Sequence, residues 1–66
     1  MNKIVKAKHI LNRLKEEGWV LKHQRGSHAQ YVHPTRKGKV TVNASGNDDV
    51  YGELLKSIEK QSGIKF

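Results

Sequence analysis

The chain has 66 residues, with 13 Lys and Arg against 6 Asp and Glu, a formal net charge of +7 and no cysteine. So short a chain buries only about 60% of the surface its unfolded form exposes, so one domain over residues 1–66 is expected, and the missing cysteines exclude disulfides, a thiolate nucleophile and a Cys-based zinc site. The charge favours an acidic partner, while no segment nears the roughly 18 apolar residues of a membrane span and Met1 to His9 hold no apolar run of signal-peptide length; a cytoplasmic protein without membrane association is expected.

From Ile4 to Glu17 the apolar residues Ile4, Ala7, Ile10, Leu11 and Leu14 recur every three or four positions, the spacing of one helical face. Gly18 stands where a left-handed residue ends a helix, and Trp19 follows, placed to touch Leu14 in a Schellman arrangement. Two strand-length runs come next, Trp19 to Arg25 and His28 to His33, separated by Gly26-Ser27. Glycine at the first turn position suits a two-residue type II′ hairpin, although a bulged three-residue loop also fits.

With a two-residue loop, Trp19, Leu21, His23, Arg25, His28, Gln30 and Val32 share one face, and Val20, Lys22, Gln24, Ala29, Tyr31 and His33 the other. A one-residue bulge regroups them, so the face that the helices cover stays open. Pro34 closes the second strand, Pro34 to Lys39 forms a basic turn, and Lys39 to Asn43 alternates as a third strand. The loop Ala44 to Asp49 ends in a helix N-cap candidate at Asp48 or Asp49. A second helix, Val50 to Gln61, aligns Tyr51, Leu54, Leu55 and Ile58 on one face before Gly63-Ile64 stop it. The order α-β-β-β-α gives an α+β fold, with a three-stranded antiparallel sheet and two helices on one face.

Few groups can do chemistry, so the four histidines carry the search. His9 reads as a solvated helix residue, His23 as a surface side chain among basic neighbours, and His33 as a strand-end residue held by the Pro34 turn. His28 follows the Gly-Ser turn and opens a strand, where a rigid ladder can fix an accessible side chain. His23, His28 and His33 recur every five residues, but odd spacing in extended chain alternates faces, which argues against a metal site. The basic residues Lys22, Arg25, Arg36, Lys37 and Lys39 are expected on the same part of the domain as His28. Phosphodiester cleavage needs both proton transfer and positive charge near the phosphorane.

Gly18-Trp19, Arg25-Gly26-Ser27-His28, Tyr31 with His33-Pro34-Thr35, Gly38, Val40-Thr41-Val42 and Leu54-Leu55-Lys56-Ser57-Ile58-Glu59-Lys60-Gln61-Ser62-Gly63 together resemble the HicA toxins of bacterial toxin–antitoxin systems. The resemblance spans almost the whole chain. It implies a fold like the double-stranded-RNA-binding domain and a metal- and cofactor-independent endoribonuclease that cleaves mRNA and slows translation. It also implies His28 as the catalytic residue and a HicB-type antitoxin as partner. The candidate RNA-binding set is Lys22, Arg25, Gly26, Ser27, Arg36, Lys37 and Lys39. One departure is that many relatives carry Pro and then His after the third strand, where this chain has Asn43-Ala44-Ser45-Gly46-Asn47. A non-catalytic double-stranded RNA binder is the alternative.

Overall fold

The computed structural model describes residues 3–66, so Met1 and Asn2 of the expected 1–66 domain lie outside the described residues. In chain order its elements are β1 (Ile4–Lys6), α1 (Ala7–Glu16), β2 (Val20–Arg25), β3 (His28–Val32), β4 (Lys39–Asn43), β5 (Asp49–Tyr51) and α2 (Gly52–Ser62). The protein is α+β, with two helices and an antiparallel three-stranded sheet ordered β2-β3-β4. Burial alternates cleanly along β3 and β4. Ala29, Tyr31, Val40 and Val42 are buried, whereas His28, Gln30, Val32, Lys39, Thr41 and Asn43 are exposed or half-buried. The buried four join Ala7, Ile10 and Leu14 of α1 and Leu55 and Ile58 of α2 in one core cluster. Both helices therefore cover the same face, and the other face is open. Desolvation in this core pushes the Tyr31 phenol above its ordinary range.

The first helix begins at Ala7, not Ile4, and the second at Gly52, not Val50. The missing turns are strands. β1 and β5 pair antiparallel as Ile4↔Tyr51, Val5↔Val50 and Lys6↔Asp49, burying the two valines and leaving Ile4 and Tyr51 facing water. Ile4 keeps helical spacing to Ala7, but the core takes up Val5. The helix-like pattern was a coincidence of a three-residue strand running into a helix.

The same pairing explains why neither Asp48 nor Asp49 caps a helix. The Asp48 carbonyl accepts from the Ala7 N–H at 2.8 Å and the Gly46 carbonyl from Lys8 N–H at 3.0 Å, so main-chain oxygens satisfy the first two orphan donors of α1. Asp48 instead accepts through Oδ2 from the Ser45 N–H (3.1 Å), and Asp49 pairs with Lys6 at 2.7 Å.

α1 ends as its sequence indicates. The Trp19 N–H donates to the Leu14 carbonyl (2.9 Å) and the Gly18 N–H to Lys15 (3.1 Å), the two bonds of a Schellman motif. Gly18 has φ +95°, and a Cβ there would also lie 2.8 Å from His33 Nε2. At the far edge of the sheet, the outward N–H of Thr41 donates to Gln61 Oε1 (3.0 Å), while Gln61 Nε2 donates to Ser57 Oγ (2.9 Å). A side chain of α2 thus closes the hydrogen-bonding edge of β4.

Candidate active site

The β2–β3 hairpin has a two-residue loop, because Arg25 and His28 are direct partners across Gly26-Ser27. Gly26 has φ +59° and no non-glycine residue among the described residues has positive φ, so Ser27 does not, which is the II′ pattern and not the I′ pattern. Direct partners in an antiparallel ladder share a face. The open face near the turn therefore carries a row of Arg25, His28 and Asn43 across three strands, followed by a row of His23, Gln30 and Thr41. Ser27 Oγ donates to Asn43 Oδ1 at 3.2 Å and ties the turn to the end of β4. His28 and Arg25 are exposed.

A register shift lies between Leu21, which pairs with Tyr31, and His23, which pairs with Gln30. Lys22 is the extra residue of a bulge. Its effect is to regroup β2: His23 and Arg25 stay on the open face with His28, while Leu21 joins Tyr31 on the helix side and Val20 joins Val32 on the open side. The sequence alternation had placed Leu21 with His23.

Not every expected site residue gathers there. Lys22, Arg25, Gly26 and Ser27 lie on the hairpin with His28, but Arg36, Lys37 and Lys39 belong to the opposite end of the sheet, where Val32 pairs with Lys39. Lys39 shares the open face, at four residues along β4 from Asn43, or about 13 Å. The Arg36 guanidinium lies 6.0 Å from the Trp19 ring centroid and packs against Gly63, after the last turn of α2. There its charge meets the negative end of the helix and an aromatic face. The expectation that all five basic residues cluster around His28 is corrected, because an antiparallel strand carries the chain away from the hairpin it leaves.

His33 also has an occupation. Its Nε2 lies 2.9 Å from the Glu17 carbonyl and its Nδ1 accepts from the Thr35 N–H at 3.1 Å, so the first nitrogen donates and the second accepts. The ring meets Trp19 edge-on, with centroids 5.2 Å apart. His33 is a strut between the end of α1 and the turn after β3. His9 sits exposed on α1, in the other layer. Among the described residues no three His, Cys, Asp or Glu side chains group as metal ligands.

The model of the family "HicA toxin of bacterial toxin-antitoxin" matches residues 7–64. The chain belongs to the HicA toxin family. Comparison with curated proteins and with solved structures returned no match. As a HicA toxin, the chain is one half of a toxin–antitoxin pair and has a cognate antitoxin as partner. The match takes in the three-stranded sheet, β5, both helices and the hairpin that carries His28, and leaves out β1 and the residues after Ile64. No helix among the described residues is long and apolar enough to cross a membrane.

Proposed function

We propose that this HicA toxin is a metal-independent endoribonuclease that cuts messenger RNA in the cytoplasm and slows translation, with His28 as its catalytic base. The observation that supports it most is the placement of His28: exposed on the helix-free face, at the end of a two-residue hairpin, directly opposite Arg25. In the reaction, His28 takes the proton from a ribose 2′-hydroxyl, whose oxygen attacks the neighbouring phosphorus. Arg25 lies close enough in the ladder to neutralise the charge that builds on the phosphorane oxygens. Gly26 and Ser27 at the turn, Lys22 in the bulge and Lys39 at the far end of the open face hold the RNA backbone, with backbone N–H groups of the glycine turn able to approach phosphate closely. Arg36 and Lys37 would meet only an RNA strand that runs the length of the sheet. The cognate antitoxin, of the HicB type, neutralises the toxin by covering this face.

Induced expression without antitoxin tests the reading. The wild-type chain is expected to arrest growth and deplete full-length mRNA, and His28→Ala to do neither while accumulating to the same level. Arrest by His28→Ala would remove the assignment. A non-catalytic double-stranded RNA binder would instead retard duplex RNA on a gel without cutting it.

A further inference from the structure

In-line displacement at phosphorus needs two proton transfers on opposite sides of the reacting centre. One group removes the proton of the attacking 2′-oxygen, and another gives a proton to the departing 5′-oxygen. A single imidazole at His28 cannot stand on both sides at once. The second group must lie on the same open face, within one phosphate's width, and be able to carry a proton near neutral pH.

Only one other histidine meets the first condition. His33 has both ring nitrogens committed, to the Glu17 carbonyl and the Thr35 N–H, and His9 belongs to α1 in the covering layer. His23 pairs with Gln30, the residue two along from His28, so His23 and His28 are diagonal neighbours on one face. Such neighbours have Cα atoms about 7–8 Å apart, which leaves room for one phosphate between two imidazoles. The bulge at Lys22 does not disturb the three consecutive pairings from His23 to Arg25, so this relation is held by regular ladder. Both side chains are exposed. The charged groups around His23 are Arg25, two residues along the same face, and Lys22 in the bulge beside it, with neutral Gln30 opposite. Arginine does not give up its proton. A histidine, which changes charge near neutrality, is the better matched acid.

We propose that His23 is the second catalytic residue, the general acid to the base at His28; the inference rests on the nuclease reading above. The step balances without a cofactor. The 2′-oxygen loses its proton to neutral His28 and bonds to phosphorus, the bond from phosphorus to the 5′-oxygen breaks, and protonated His23 delivers its proton to that oxygen. The products are a 2′,3′-cyclic phosphate and a 5′-hydroxyl, with the two imidazoles exchanging protonation states and resetting through solvent.

The test uses two oligoribonucleotides that differ only at the scissile bond. One is ordinary RNA, and in the other the 5′-bridging oxygen is sulfur, whose thiolate leaves without an acid. On ordinary RNA, His23→Gln is expected to lose about 10²- to 10⁴-fold in rate with unchanged RNA affinity, and the bell-shaped pH profile of the wild type is expected to lose its alkaline limb. On the sulfur substrate His23→Gln is expected to recover close to the wild-type rate, and His28→Gln not to recover. Wild-type rates for His23→Gln on ordinary RNA, an equal loss on both substrates, or sulfur rescue of Lys22→Gln in its place would each overturn the role of His23. Where one of these results comes with an inactive His28→Gln, only the role of His23 falls and the nuclease reading stands. If His28→Gln cuts normally, or the wild type cuts neither substrate, the nuclease reading falls and takes it along.

Discussion

Glu59 is the side chain whose titration bears most directly on stability. Its Oε2 accepts from the Phe66 N–H at 3.0 Å, which holds the carboxyl below its ordinary range against opposing desolvation, and Lys3 at 3.6 Å and Lys65 add to the lowering. A carboxyl that releases its proton more readily in the folded chain stabilises the fold above the ordinary glutamate range, and that contribution is lost as pH falls through the folded value. Glu59→Gln is therefore expected to flatten the acid side of a plot of urea midpoint against pH and leave the neutral-to-alkaline slope alone. Identical acid slopes in the two proteins would show that the Phe66 contact contributes nothing. The histidines divide at this same scale. His33 is read correctly from sequence as a strand-end residue, because the proline that follows it announces a turn. Its reach to Glu17 depends on a chain crossing that no local pattern records.

At the scale of elements, the stop after α1 carries two jobs. Gly18 supplies the left-handed residue of the Schellman motif and the gap into which His33 fits. Gly18→Ala costs about 1–2 kcal/mol for a left-handed residue with a Cβ and adds a clash with the His33 ring, so Tm is expected to drop by roughly 5–15 °C. An unchanged Tm would mean that the α1 terminus relaxes freely. The helix stop, the third strand and the presence of a hairpin are legible because each depends on residues adjacent in sequence: Gly18-Trp19, the alternation from Lys39 to Asn43, and Gly26-Ser27, which leaves a two-residue turn and a bulged three-residue loop both open. The β1–β5 ribbon is not legible, since residues 4–6 and 49–51 are defined only by pairing across the whole chain. Nor is the bulge, because Lys22 differs from its neighbours in no property that a pattern can use. That one residue decides which of Leu21 and Val20 shares a face with His23.

Across the whole molecule, the net charge of +7 is spread over both layers, but the open sheet face is where cations meet two exposed histidines, His23 and His28. Binding to RNA is expected to weaken steeply with salt, with a log–log slope that shrinks by about one when Arg25→Gln removes a phosphate contact. Lys8→Gln, on exposed α1, is expected to leave that slope unchanged. Equal effects of the two would place the RNA elsewhere on the surface. The site itself was half legible. Gly-Ser-His marked the hairpin, and the two-residue loop was the alternative that set His23 on the face of His28, while the separation of Arg36 and Lys37 from the hairpin follows from register alone. The most direct test is cleavage of RNA by the purified chain in EDTA, with analysis of the new ends. Wild type is expected to yield 2′,3′-cyclic phosphate and 5′-hydroxyl ends and His28→Ala to leave the RNA intact. Cleavage by His28→Ala at the wild-type rate, or wild-type cleavage that vanishes on chelation, would contradict a metal-independent ribonuclease built on His28.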